Sequence, residues 1–243
     1  IPREGGNRFA GDLKAAYRPG EWQEDNLTQR LRDRGLRTGN ATDRIIDVTV
    51  SQGGPLLKDR LWFFGTARYN AVDNFIPNTT FDDGSPGIDD QFIRQGLLRL
   101  TWQASPKMKL SAFFDEIDKY RGHDMQANFD PETAAQQWFC PVCNQGVAKL
   151  TYAASSRLLV EAGFSRFLGY NTMQYQNGVE QPRFSPAWFT NTAQVDEELG
   201  HRRTASLLQN FDSPNRYGWL ASASYVTGSH SLKAGVQMSW VLA

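Results

Sequence analysis

The most reactive residues in this 243-residue chain are Cys140 and Cys143, its only two cysteines. Their Cys-x-x-Cys spacing suits thiol–disulfide exchange, half of a thiolate metal site, or a local disulfide. No second pair completes a zinc site, and there are only three histidines, His123 lying nearest. The pair falls in a long connecting stretch that the pattern below assigns to an oxidising exterior. A disulfide pinning that loop is therefore expected ahead of metal binding or a reduced pair. Asp82-Asp83-Gly84 with Asp89-Asp90 offers oxygen ligands of the kind calcium takes, but without the spacing of an EF-hand loop. A polar turn is expected instead. Residues 26–35 look helical, with Asp25 or Asn26 as cap and Gly35 as stop. Arg30, Arg32 and Arg34 in that stretch suit a phosphate or anionic ligand, although a solvated loop helix is the favoured reading. Tyr175, Phe184, Trp188 and Phe189, with Phe211, sit among Asn, Gln and Pro. They are candidates for stacking on a sugar or peptide, and equally for packing the loop on itself. No Ser-His-Asp set, phosphate loop or paired-carboxylate constellation is present, so neither an enzyme nor a bound cofactor is expected.

The elements that must carry these residues have a period of two. In 232–242, Leu232, Ala234, Val236, Met238, Trp240 and Leu242 share one face, and Lys233, Gly235, Gln237, Ser239 and Val241 lie on the other, which is mostly polar. That is a strand with one apolar face. The same alternation recurs over 8–18, 46–51, 63–70, 95–103, 108–115, 148–152, 158–165 and 217–225. Nine strands of about 9 to 12 residues are expected. Globular strands have a mode of about 5 or 6 residues, whereas about 9 to 11 cross a bilayer at a tilt.

The connections alternate between short (53–59, 104–107, 155–156, 228–231) and long (19–44, 71–91, 120–145, 170–216). An up-and-down transmembrane barrel shows this pattern of short turns and long outer loops. Aromatic side chains cluster at two levels: Trp62, Phe63, Trp102, Tyr152 and Tyr225 near the short turns, and Tyr17, Tyr69, Phe164, Tyr217, Trp219 and Trp240 near the long loops. Rings of this kind prefer the two membrane interfaces, although aromatics are also simply good strand formers.

The opposite faces carry Lys14, Asp47, Arg68, Arg99, Lys149 and Glu161 in mid-strand. Such charges do not suit a small dry core. They suit a wide wall that lines water or a polar plug. Nine is odd, and an unpaired edge is not tolerated in lipid, so more strands are expected. The fold expected is all-β: an antiparallel up-and-down transmembrane barrel segment occupying residues 1–243. The start at Ile1-Pro2, with no Met or signal segment, fits a piece of something larger.

Three stretches resemble a known family. Pro2-Arg3-Glu4-Gly5-Gly6-Asn7-Arg8-Phe9-Ala10-Gly11 resembles the junction of plug and first barrel strand in TonB-dependent outer-membrane receptors. The run from Gly53-Gly54-Pro55 to Trp62-Phe63-Phe64-Gly65 resembles the first periplasmic turn and third strand of the Oar-like group. Ser229-His230-Ser231-Leu232-Lys233-Ala234-Gly235 resembles another of its turn-and-strand units. The resemblance implies a parent with a regulatory-like N-terminal domain, a plug and a 22-stranded barrel, of which this chain is the first nine strands or so. It implies ligand uptake across the outer membrane, energised through a plug by the TonB complex, with lipid and lipopolysaccharide as surroundings. The six mid-strand charges then face the plug or lumen.

The competing readings are a passive porin or adhesin-type barrel and a soluble lectin-like β-sandwich. In a sandwich, the face bearing Leu98, Leu100, Val236 and Met238 is covered by a second sheet. The charge balance of 26 Lys+Arg against 26 Asp+Glu argues against a nucleic-acid partner.

Overall fold

The computed structural model describes residues 3–24, 27–182, 184–190, 193–204 and 210–242, with the side chains of 210 and 211 left aside. The expected caps Asp25 and Asn26, the ring of Phe211 and Pro2 of the first resembling stretch lie outside the described residues.

The chain is all-β and antiparallel. Its strands are β1 (Ala10–Pro19), β2 (Ala41–Leu57), β3 (Leu61–Thr80), β4 (Pro86–Ser105), β5 (Met108–Asp124), β6 (Gln136–Ala153), β7 (Leu158–Tyr175), β8 (Gln194–Val195), β9 (Arg202–Arg203), β10 (Asn210–Asp212), β11 (Asn215–Thr227) and β12 (His230–Leu242). Nine of them form one meander in the order β1-β2-β3-β4-β5-β6-β7-β11-β12, and β10 pairs with the far end of β7. The sheet is open, with edges at β1 and β12. Ser213 and Pro214 separate β10 from β11; proline has no N–H to give the ladder, so pairing breaks there and resumes.

All nine expected strands are present, but most are longer than expected: β3 and β4 have 20 residues each, and β6 and β7 have 18. Much of the expected loops 71–91 and 120–145 is strand. The β3–β4 connection is only residues 81–85. Apolar alternation stops where polar side chains take both faces, but backbone hydrogen bonding needs no such alternation and carries the ladder on.

Residues directly opposite one another share a face, so register fixes the faces of the sheet. One row runs Leu100↔Ala112↔Ala148↔Phe164↔Trp219↔Met238. The row nearer the short turns runs Trp102↔Leu110↔Leu150↔Ala162↔Ala221↔Val236. This apolar face is bare: Leu98 is 51% exposed, Leu100 40%, Val236 58% and Met238 60%. Among the described residues the only other sheet is the two-residue pairing of β8 with β9. Buried positions are instead polar, among them Ser51, Asp73, Asp89, Arg99, Thr101, Asp115 and Thr172. Most of the aromatic levels keep to the apolar face, but Trp62 departs from it. Its neighbour Phe63 pairs with Leu100 on the apolar side, so Trp62 lies on the polar side.

Among the described residues, a small apolar core is found at the long-loop end, where Met125, Pro131, Ala134 and Ala135 are buried. There the 125–135 loop joins β9: Phe129 bridges Arg202, whose guanidinium lies over the Phe129 ring. Helix α1 (Gln29–Asp33) is capped at Thr28 without a side-chain bond, and Gly35 follows it at φ +91°. It is thus shorter than the helix expected over 26–35. Among the described residues no helix is long and apolar enough to cross a membrane.

Candidate functional site

The polar face gathers charges from consecutive strands into pairs. Arg68 on β3 donates to both oxygens of Asp47 on β2, Nε to Oδ1 at 3.0 Å and Nη2 to Oδ2 at 2.7 Å. This fork geometry orients both side chains. Lys149 on β6 meets Glu161 on β7 at 2.7 Å, and Lys233 on β12 approaches the other oxygen of Glu161 at 3.6 Å. Lys14 stands opposite Thr49 on the same face. Asp115, nearly buried, accepts from the amides of Gln95 and Gln145 on its two neighbouring strands.

Arg99 is covered by the N-terminal segment. Its Nη2 donates to Glu4 Oε1 at 2.5 Å, while Lys109 Nζ reaches Glu4 Oε2 at 3.0 Å. The segment is clamped at its other end to the first short turn. Asn7 Nδ2 donates to Asp59 Oδ1, and Asn7 Oδ1 accepts from the Asp59 N–H and from Trp62 Nε1. Between these anchors, a side chain at Gly5 would collide with the Phe63 carbonyl oxygen, so the backbone can lie this close only as glycine. Residues 3–7 therefore lie against the polar face at its short-turn end.

Of the six expected wall charges, four pair among themselves and Arg99 pairs with Glu4. Lys109, Asp115 and Lys233 were legible from their place on the polar side of the alternation. Glu4 precedes the first strand, where no period assigns a face.

At the long-loop end, Cys140 and Cys143 are joined by a disulfide, Cα to Cα 5.9 Å. It lies inside β6 and not in a loop. Three steps of β6 from Phe139 to Val142 oppose two of β7, and three from Cys140 to Cys143 oppose two of β5. The bond thus closes across a one-residue bulge, where Pro141 lacks the N–H a ladder would need. The aspartates have other partners than a cation: Asp89 takes Arg121, Asp90 takes His123, and Asp83 takes the backbone and hydroxyl of Ser85. The Ser85 hydroxyl, and then its N–H, hold the Asp83 carboxyl below its ordinary value. Among the described residues no three His, Cys, Asp or Glu side chains group as metal ligands.

Three of the four loop aromatics come together. Phe184 and Trp188 are 5.5 Å apart, and Trp188 and Phe189 meet edge to face at 5.0 Å on the short helix α2 (Pro186–Thr190). Phe184 and Phe189 are exposed. Tyr175 is elsewhere, at the end of β7 opposite Gln136. A cavity of about 790 Å³ opens between Tyr17, Glu21, Arg37, Asp43, Arg44 and Phe75. The arrangement presents a charge-balanced wall and a loop surface with exposed rings and a mixed-charge hollow, suited to contact with a polar body or ligand. No protein-family model, curated protein or solved structure matches the chain.

Proposed function

We propose that the chain is part of the wall of a TonB-dependent outer-membrane receptor. Its apolar face meets lipid and lipopolysaccharide, and its polar face turns to the lumen and plug. The observation that carries this reading is the inversion of burial in the sheet: large apolar side chains are bare from β1 to β12, while polar ones such as Ser51, Asp73, Asp89, Arg99, Asp115 and Thr172 on β2 to β7 are covered. Water penalises such a surface at about 25 cal/mol per Å² of apolar area, and a bilayer does not. The segment from Arg3 to Asn7 adds support, because it leads the chain along the polar face next to the short turns. The open sheet then closes with further strands, 22 in the family resembled, and removes its free edges. Long-loop residues such as Phe184, Trp188 and Phe189 take part in ligand capture. Lys14, Asp47, Arg68, Lys149 and Glu161 line the passage, and Arg99 holds the chain that leads to the plug.

The test uses the full-length protein in planar bilayers together with the purified periplasmic domain of TonB. A plugged receptor gives little steady conductance and binds that domain. A large steady conductance without TonB binding would replace this reading with a passive porin.

A further inference from the structure

On the apolar face, a groove of about 360 Å³ crosses β6, β7, β11 and β12. Its floor is made of small side chains, Ala148, Ala162 and Ala221, and its rims of Leu150, Phe164 and Trp219. The Phe164 and Trp219 rings lean together at 4.5 Å between centroids. Two residues beyond Phe164 on the same strand, about 7 Å along it, stands Arg166. The register places it in the row Phe114↔Gly146↔Arg166↔Tyr217↔Trp240, with Tyr217 stacked on Trp240. Arg166 therefore shares the apolar face and the level of the aromatic rings nearest the long loops.

An arginine on such a face calls for an anion. Among the described residues, the side-chain partner of Arg166 is the neutral Asn144 oxygen, which accepts from Nη2 at 3.1 Å. Glu116 lies opposite Asn144 on β5, one strand further away. No ion pair joins it to Arg166 among the described residues. A guanidinium held by an amide keeps its full charge and has donors left for a second acceptor.

We infer that Arg166 and the groove form a binding site for an acylated lipid with an anionic phosphate headgroup, for which phosphatidylglycerol serves as the probe. The phosphate pairs with the guanidinium, and one acyl chain lies over the alanine floor between Leu150 and the Phe164–Trp219 pair. The charge supplies selection among lipids, because every phospholipid offers an acyl chain but a net negative headgroup favours the cation. The inference rests on the proposal that this face lies in a bilayer.

The experiment reconstitutes the full-length protein in vesicles holding a small fraction of bromine-labelled lipid, whose bromines quench tryptophan on contact. Labelled phosphatidylglycerol is compared with labelled phosphatidylcholine, and a Trp219→Phe variant identifies the Trp219 share of the signal. The expected result is about a fivefold enrichment of phosphatidylglycerol over phosphatidylcholine at Trp219. Arg166→Gln abolishes the preference and Arg166→Lys keeps it. Equal quenching by the two lipids at Trp219, or a preference that survives Arg166→Gln, overturns the site while leaving the bilayer reading intact. No quenching by either lipid overturns both.

Discussion

The halves of the sheet on either side of the aromatic row nearest the long loops are built by different rules. Towards the short turns, the ladder is regular from Gly53 to Ile45 on β2 and from Leu61 to Phe75 on β3. The register shifts there, at Pro55/Leu57 and Gln103/Ser105, sit at the turns themselves. Towards the long loops, shifts interrupt four of the five neighbouring pairs from β2 to β7, at Thr42/Arg44, Phe75/Thr80, Ile117/Lys119, Arg121/Asp124 and Phe139/Val142, and only β4 with β5 runs on without one. The same half holds the buried carboxylates Asp73 and Asp89, each bonded to an arginine, and the disulfide. A bulge leaves a backbone group unpaired, which water satisfies and hydrocarbon does not. The contrast fits the proposed setting, with one half of the sheet in lipid and the other in water, and it can be broken at three points.

The largest effect is expected from an arginine on the bare apolar face. Leu98→Arg should destabilise the full-length protein by about 3 kcal/mol in denaturant titrations in phosphatidylcholine vesicles, as for a cation near the bilayer midplane. Val142→Arg, exposed at the bulge of β6, should stay within about 0.5 kcal/mol. Equal effects at the two sites would erase the division between the halves.

The ion pairs should divide in the same way. The Asp89 carboxylate is nearly buried against Arg121, whose side chain is about a third exposed. Arg121→Met should therefore destabilise by about 2 kcal/mol, less than a fully buried pair because of solvent screening. Lys149→Met leaves Glu161 with Lys233 nearby, and should stay below about 1 kcal/mol in the same titration. A reversed order would mean that the short-turn half of the polar face is the drier one.

The smallest effect is a local one at the β3–β4 tip. The Ser85 bonds lower the folded-state value of Asp83. Their contribution is thus fully present above the ordinary carboxylate range near about 4 and is lost as pH falls through the lowered value. The protection of the Ser85 amide, its exchange rate relative to the intrinsic rate at each pH, should fall on acidification while that of 96–100 on β4 stays high. Uniform loss of protection along β4 would show that the tip and the ladder open as one unit.

The sequence made the strand faces legible because a period of two survives wherever one face is apolar and the other is not. The short turns were legible for the same reason. The long-loop extensions were not, since Asp73 and the run Asp89-Asp90-Gln91 break the alternation while their backbones go on pairing. The cysteine pair was visible from its spacing, but its place across a bulge depended on counting residues on both neighbouring strands.

By itself, then, the order of residues determined an antiparallel meander with one oily side and one charged side, because neighbouring residues on a strand must point opposite ways. Only the tertiary structure decided which charges meet, since partners such as Glu4 and Arg99 stand 95 positions apart. It also decided that Arg166 shares a face with the alanine groove, because register between strands sums hydrogen bonds along the whole ladder and no local pattern records that sum.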